Sequence, residues 1–215
     1  MNSAGIGAGV VICSLLAIAA PYLWPKQPLI FYIFKPATTI LILLLALFAP
    51  KNRYKIAVVL GLLLSLMGDI FLMLPSDQFL IGLICFLITH ICYIIAFLSD
   101  SRFGRPLWPY VLLAAIGIII FTALSRGIVT SMKFPVAIYA GALSFMTAQA
   151  IARNLQQRST GSLFAAIGAV LFLISDTLLA YDRFLTPFEA SNAVILATYY
   201  PAQYFIALSA VRKSA

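Results

Sequence analysis

The side chains best suited to chemistry in this sequence are two aspartates inside long apolar segments, Asp69 and Asp176. A charged group at membrane depth costs at least about 2.5–3.5 kcal/mol on insertion scales, so such residues usually face a cavity or each other. Lys35 is the only other Asp, Glu, Lys or Arg clearly within the helices predicted below, and His90 is the single histidine. Two aspartates kept at this cost predict a functional site.

Polar side chains on two further apolar segments have helical spacing that favours a shared site. His90 and Tyr93 are three residues apart on one face, and Tyr199 and Gln203 are four apart on another, with Tyr200 adjacent. Structural interpretations stay open for several of them, because His90 also suits a buried core and the adjacent tyrosines also suit aromatic packing. We treat all five as candidate supporting residues.

The depth of the charged residues predicts where a site would open. Asp69 and Asp176 each lie five residues before the end of a predicted helix, which places both roughly 8 Å below the same surface at 1.5 Å per residue. Lys35 lies at a similar depth on another helix, although a snorkelling lysine would also fit there. We therefore expect one pocket that opens to the non-cytoplasmic leaflet.

Several familiar catalytic patterns do not occur in the sequence. There is no GxSxG, HExxH or P-loop motif, and a single histidine cannot form a three-histidine zinc site. The three cysteines form no CxxC pair. The polar side chains that remain are suited to acid–base catalysis. We predict no cofactor and no metal, although two carboxylates and a histidine could bind a metal ion.

The elements that must position these residues are membrane-spanning helices. Of 215 residues, 63% are hydrophobic and 9% are charged, and the mean hydropathy is +1.07, whereas a soluble domain has about 25% charged residues. Apolar runs separated by breakers predict an all-α membrane protein, a bundle of eight transmembrane helices in a single polytopic domain, 1–215. The predicted helices cover residues 5–24, 30–49, 56–74, 79–98, 107–124, 134–151, 161–181 and 191–211.

The basic residues predict the orientation of the chain. The net charge is +8, but nearly all Lys and Arg lie in short clusters between apolar runs, which argues against a nucleic-acid partner. The loops at 50–55, 99–106 and 152–160 and the C-terminal tail hold nine of them, against four on the other side. The positive-inside rule therefore predicts both termini in the cytoplasm of a multi-pass protein, in the cell membrane or a bacterial inner membrane.

Five segments carry a family resemblance when they are taken in order. They are Lys35–Thr39, Gly61–Met73, His90–Tyr93, Gly168–Ala180 and Tyr199–Gln203. Their order and spacing over residues 30–210 resemble the YhhN-like family, which includes the mammalian lysoplasmalogenases. The resemblance implies an enzyme that hydrolyses the vinyl ether bond of a lysophospholipid to a fatty aldehyde and a glycerophospho-alcohol, with Asp69 and Asp176 as the expected catalytic pair.

The predicted residues suit that reaction. Hydrolysis of a vinyl ether begins with protonation of the carbon β to oxygen, which gives an oxocarbenium ion. A carboxylic acid can donate that proton, and an ionised carboxylate can stabilise the cation and direct water to it. The sequence does not decide which aspartate is the acid. The supporting residues would position water and lipid oxygens, and Lys35 would neutralise phosphate or interact with an aspartate.

Two functions of other classes stay open at this stage. Paired intramembrane acids with a histidine also suit a proton-coupled transporter, and a lipid-binding protein without enzymatic activity is a third interpretation. Few Gly or Pro breaks flank these acids, with Pro201 as the main exception, which weighs against the transporter. The oligomeric state is left open.

Overall fold

A computed structural model of the chain describes residues 3–212, without the side chains of residues 3 and 4. Lys213, which belongs to the predicted basic tail, lies outside the described residues. Over the described range the chain forms eight α-helices and no strand. They are α1 (Ser3–Leu23), α2 (Pro28–Leu47), α3 (Arg53–Met73), α4 (Phe79–Leu98), α5 (Trp108–Leu124), α6 (Thr130–Gln157), α7 (Thr160–Phe184) and α8 (Ser191–Val211).

The lengths and composition of these helices confirm the predicted class. Seven of the eight are long and apolar enough to cross a membrane. The eighth, α5, is apolar and has 17 residues, which is at the lower end of the range of about 17–25 residues for a spanning helix. The chain is therefore a multi-pass membrane protein.

Local signals in the sequence begin several of the helices. Asn52 caps α3, because its side chain accepts a hydrogen bond of 2.8 Å from the backbone nitrogen of Lys55. Ser159 and Ser162 form a capping box at the start of α7. Pro28 opens α2, where its missing N–H costs nothing.

The largest difference from the predicted helices is in α6, which was expected over 134–151 and extends from Thr130 to Gln157. The expected loop at 152–160 is wrong, because the break between α6 and α7 consists of Arg158 and Ser159. Arg153 is therefore a buried helical residue and not a loop residue. Its guanidinium forms two hydrogen bonds to Asp100, of 2.8 and 2.9 Å, so its charge is neutralised inside the fold.

The core forms where glycines let helices approach closely. A Cβ atom on Gly68 of α3 would lie 2.6 Å from the Phe86 ring of α4. A Cβ on Gly168 of α7 would lie 2.7 Å from the carbonyl oxygen of Ala202 in α8. These contacts bring α3 against α4 and α7 against α8, and the two predicted aspartates lie on the first helix of each pair.

Candidate active site

The carboxylate of Asp69 is buried where α2, α3 and α8 meet. Its Oδ2 atom accepts a hydrogen bond of 2.7 Å from the Thr39 hydroxyl and one of 2.8 Å from the Tyr199 hydroxyl. Lys35 lies one helical turn before Thr39, is only 8% exposed and interacts electrostatically with Asp69. Asp69 thus accepts two hydrogen bonds and lies in the field of Lys35, and these interactions oppose the cost of burying its charge.

A chain of hydrogen bonds continues from Tyr199 across the bundle. Gln203 donates from Nε2 to the Ser65 hydroxyl at 2.7 Å and to the Tyr199 hydroxyl at 3.2 Å. Tyr93 donates to Gln203 Oε1 at 2.6 Å. The predicted residues Tyr93, Tyr199 and Gln203 therefore converge with Asp69, and the network fixes the direction of the Tyr199 hydroxyl.

The carboxylate of Asp176 has a different environment. Tyr139 of α6 donates a hydrogen bond of 2.5 Å to Asp176 Oδ2. His90 Nε2 lies 3.6 Å from the same oxygen, which is longer than a normal hydrogen bond. Neither ring nitrogen of His90 has a hydrogen-bond partner among the described residues, although the ring is fully buried. Asp176 and His90 thus form a second polar cluster.

Aromatic rings separate the two clusters. The Phe172 ring centroid lies 4.9 Å from that of His90 and 5.6 Å from that of Tyr199. Phe86 packs on Phe172 and on Tyr199, at 6.2 and 5.9 Å. The predicted residues therefore form two adjacent clusters, one around each aspartate, and Phe86 and Phe172 separate the clusters.

A small apolar cavity of about 60 Å³ opens beside Asp176. Asp176 and Tyr139 contribute polar groups to its wall, and most of the lining comes from aliphatic and aromatic side chains of α4 to α7, including Phe86, Phe121 and Leu173. Asp69 is absent from the lining of this cavity. Of the two aspartates, Asp176 is therefore the one in the wall of this cavity.

The two aspartates do not lie at equal distances from the ends of their helices, which differs from the prediction of equal depth. The structure ends α3 at Met73 and extends α7 to Phe184, three residues beyond the predicted end at 181. Asp176 is therefore about twice as far from the end of its helix as Asp69. Ala180 and Phe184, which follow Asp176 on α7, line the cavity.

The structure places Tyr200 outside both hydrogen-bond networks. Its ring packs on Tyr199 with centroids 5.5 Å apart. Its hydroxyl is buried without a hydrogen bond of normal geometry to any described residue. Tyr200 is thus a packing residue in this arrangement, which is the structural interpretation that the sequence left open.

Sequence reasoning missed Tyr139, Ser65 and Phe172. No local signal distinguishes Tyr139, which is one of ten tyrosines, because only the packing of α6 on α7 brings it to Asp176. Ser65, Phe172 and Thr39, by contrast, all lie in segments that carry the family resemblance. Within residues 3–212, no three His, Cys, Asp or Glu side chains come together as a metal site would require.

The fold and these clusters define a class of protein: a multi-pass membrane protein with two carboxyl groups buried among helices and an apolar cavity at one of them. The chain belongs to the YhhN family, whose model matches residues 30–210. No solved structure matches.

Among its relatives are proteins named as lysoplasmalogenases. The chain is 34% identical to lysoplasmalogenase TMEM86A of Bos taurus over 70% of this chain and 63% of that protein. It is 30% identical to the lysoplasmalogenase of Mycobacterium bovis over 80% of this chain and 67% of the relative. The membrane protein YhhN of Escherichia coli O157:H7 is 29% identical over 93% of this chain and 95% of its own length. The matched part thus spans about 63% of the mammalian relative.

Proposed function

We propose that this protein is a membrane-embedded hydrolase that cleaves the vinyl ether bond of lysoplasmalogens to a fatty aldehyde and a glycerophospho-alcohol. The observation that carries the proposal is the carboxyl group of Asp176 in the wall of an apolar cavity. The lysoplasmalogenases among its relatives support the same substrate class. A lysophospholipid in the bilayer would bring its chain into such a cavity and its ether bond to the carboxyl group.

In this proposal Asp176 is the general acid. Its contacts to Tyr139 and His90 are made by Oδ2, so Oδ1 is the oxygen that can carry a proton towards the cavity. An apolar surrounding favours the neutral form of a carboxyl group. The proton moves from Asp176 to the alkenyl carbon β to the ether oxygen, and the adjacent carbon becomes an oxocarbenium centre.

In the proposed reaction Asp69 acts as an ionised carboxylate, because Thr39, Tyr199 and Lys35 stabilise its negative charge against the cost of burial. Asp69 does not line the cavity. It therefore stabilises the oxocarbenium ion through the electric field of its charge and through Tyr199. Gln203 and Tyr93 hold the Tyr199 hydroxyl in place. Asp69 is thus a positioning and electrostatic residue.

His90 is suited to hold the attacking water. Burying a polar atom without a hydrogen bond costs about 1–3 kcal/mol, and both ring nitrogens of His90 lack a protein partner among the described residues. A water bound to His90 would lie beside Asp176, whose carboxylate takes up one proton of the water as the oxygen attacks the oxocarbenium carbon. The resulting hemiacetal collapses to aldehyde and alcohol, and Asp176 is protonated again for the next cycle.

The test is release of free aldehyde from a 1-alkenyl lysophospholipid by the purified protein. Asp176→Asn removes the acid, and we expect kcat to fall by about 10²- to 10⁴-fold, the usual range for a group in direct proton transfer. Asp69→Asn keeps the hydrogen bonds but removes the charge, and we expect a loss of about 10- to 100-fold in kcat. Asp182→Asn, at the end of α7, is the matched control and should keep full activity.

Three results would contradict the proposal. Near-normal activity of Asp176→Asn in protein that is folded in detergent would remove the acid role. Equal losses in the Asp182→Asn control would show that the aspartate substitutions act on folding. Proton-linked flux in liposomes without any aldehyde would favour the transporter instead.

A further inference from the structure

A second cavity lies between α5 and α6 and adjoins the cavity at Asp176. Its volume is about 470 Å³. Four residues line both cavities, two on each helix: Gly117 and Phe121 on α5, and Ala140 and Ser144 on α6. The two spaces together form one groove along α5 and α6, which we name the α5–α6 groove.

The two sides of the groove differ in the size of their side chains. The α6 side consists largely of small residues at helical spacing, namely Ala137, Ala140, Gly141, Ser144 and Ala148. Small residues usually let neighbouring helices pack closely in membranes. Here a space remains, and a Cβ atom added to Gly141 would meet no atom within 4 Å.

Aromatic rings close the groove at the end away from Asp176. Phe103, Tyr110 and Phe145 are in mutual contact, with ring centroids 5.3 to 5.6 Å apart. The Tyr110 hydroxyl is hydrogen-bonded to Gln149, which fixes this cluster between α5 and α6. The groove is open along the surface of the bundle, where Phe103, Ala114 and Gly141 are exposed. It has a carboxyl group near one end and an aromatic cluster at the other.

The length of the groove matches one chain of a membrane lipid. From Tyr139, which contacts Asp176, to Ala148 the α6 helix rises about 14 Å. The hydrocarbon core of a bilayer is about 30 Å thick, so one leaflet provides about half of that for a chain. At the other end the Arg183 guanidinium lies 4.8 Å from the Phe79 ring, which lines the cavity. The ion pair of Arg183 with Asp77 thus lies where the polar part of a lysolipid would leave.

We propose that the α5–α6 groove binds the hydrocarbon chain of the substrate and measures its length. This inference rests on the proposed function, since it takes Asp176 as the group that meets the ether bond. The alkenyl carbons lie at Asp176, the chain runs between α5 and the small residues of α6, and its terminus meets Phe103, Tyr110 and Phe145. A hydrocarbon chain that is too long to fit between Asp176 and the three aromatic rings cannot place its double bond at Asp176.

Filling the groove tests this binding mode without touching the polar clusters. Gly141→Phe and Ala114→Phe place a ring inside the groove, since both residues line it. Ala115→Phe is the matched control, because Ala115 is exposed on α5 and does not line the groove. The substrates are two 1-alkenyl lysophospholipids, one with a chain of leaflet length and one with a chain about half as long.

We expect the filled variants to lose about tenfold or more in kcat/KM for the long chain relative to the short one, the range for a pocket that rejects extra methylenes. The control should keep the wild-type ratio. If the filled variants lose kcat/KM equally for the long and the short substrate, or keep the wild-type ratio of the two values, the inference is wrong while the proposed function stands.

Photo-crosslinking separates failure of the inference from failure of the proposed function. The probe is a 1-alkyl lysophospholipid with a diazirine at the chain end, which binds without being cleaved. Labelling of the Phe103, Tyr110 and Phe145 peptides that is lost in Gly141→Phe and kept in Ala115→Phe supports the groove, even in a preparation that releases no aldehyde. Labelling spread over the lipid-facing helices, unchanged in Gly141→Phe, would mean that bulk bilayer lipid covers the groove, and would refute the inference.

Discussion

At the scale of single residues, two aspartates of the same type have different surroundings. Asp69 accepts hydrogen bonds from Thr39 and Tyr199 beside Lys35 and is enclosed by protein. Asp176 has Tyr139 as its donor and lines the apolar cavity. Such a difference in surroundings is the usual basis for two carboxyl groups with different catalytic roles.

Tyr139 gives a prediction at this scale. Tyr139→Phe removes the hydroxyl that donates to Asp176 Oδ2 and keeps the ring that packs on His90 at 4.9 Å. A hydrogen bond to a charged group contributes about 1.5–3 kcal/mol, so we expect kcat to fall about 10- to 100-fold with unchanged thermal stability. Tyr181→Phe, an exposed tyrosine, is the control, and the measurement is aldehyde release together with thermal unfolding in detergent. Full activity of Tyr139→Phe would show that the hydrogen bond is not used.

At the scale of elements, the end of α6 is tied to the loop between α4 and α5. The Arg153–Asp100 ion pair is joined by a hydrogen bond of 2.8 Å from Gln157 to the Asp100 carbonyl oxygen. Arg153 also stacks over the Tyr54 ring at 4.7 Å. These contacts let α6 run past its predicted end, since the charge that indicated a loop has its partner inside the fold.

Breaking this pair should destabilise the protein. Asp100→Asn leaves the Arg153 charge buried, and we expect unfolding to become easier by about 3 kcal/mol, as for other buried ion pairs that lose one partner. The double variant Arg153→Met with Asp100→Asn should recover part of that loss, because no unpaired charge remains. The measurement is reversible unfolding in mixed detergent.

An exposed ion pair serves as the comparison. Arg183 on α7 donates a hydrogen bond to Asp77, which lowers the pKa of the Asp77 carboxyl. Both side chains are in contact with solvent, where ion pairs contribute little to stability. Asp77→Asn should therefore leave unfolding unchanged, and a loss as large as that of Asp100→Asn would contradict the assignment of the buried pair.

The contact between α7 and α8 gives a second prediction at the scale of elements. Gly168→Ala would place a methyl group 2.7 Å from the carbonyl oxygen of Ala202 and 3.1 Å from the backbone nitrogen of Ile206. Backbone cannot yield as a flexible side chain can, so we expect a loss of stability of about 1–3 kcal/mol. Gly141→Ala, where a methyl group meets open space, should be neutral or slightly stabilising. The measurement is thermal unfolding of the two variants. Equal stability of Gly168→Ala and Gly141→Ala would contradict the close approach of α7 and α8.

At the scale of the whole molecule, the orientation in the membrane is a prediction from charge. Removing Arg153 from the count of loop residues leaves the positive side still richer in Lys and Arg, at 50–55 and 99–106 in particular. We expect a C-terminal fluorescent protein fusion to fluoresce and a C-terminal alkaline phosphatase fusion to be inactive. A fusion truncated within the segment 185–190 should give the reverse, and active phosphatase at the C-terminus would invert the predicted topology.

The sequence by itself determined the class, the number of helices and most of their bounds. Apolar runs long enough to cross a bilayer must form helices there, because backbone groups in lipid have no other hydrogen-bond partners. It also determined that Asp69, Asp176 and His90 required an explanation, since each would be costly to bury without a use.

Only the tertiary structure decided which residues meet. Tyr139 reaches Asp176 and Tyr199 reaches Asp69 through contacts between helices that are distant in sequence, and apolar segments of similar composition carry no signal for such pairing. The cavity beside Asp176 and the aromatic wall of Phe86 and Phe172 likewise depend on how helices pack. The extent of α6 was also decided there, because a charged residue at the end of a helix lies in a loop or in the core according to whether a partner such as Asp100 is within reach.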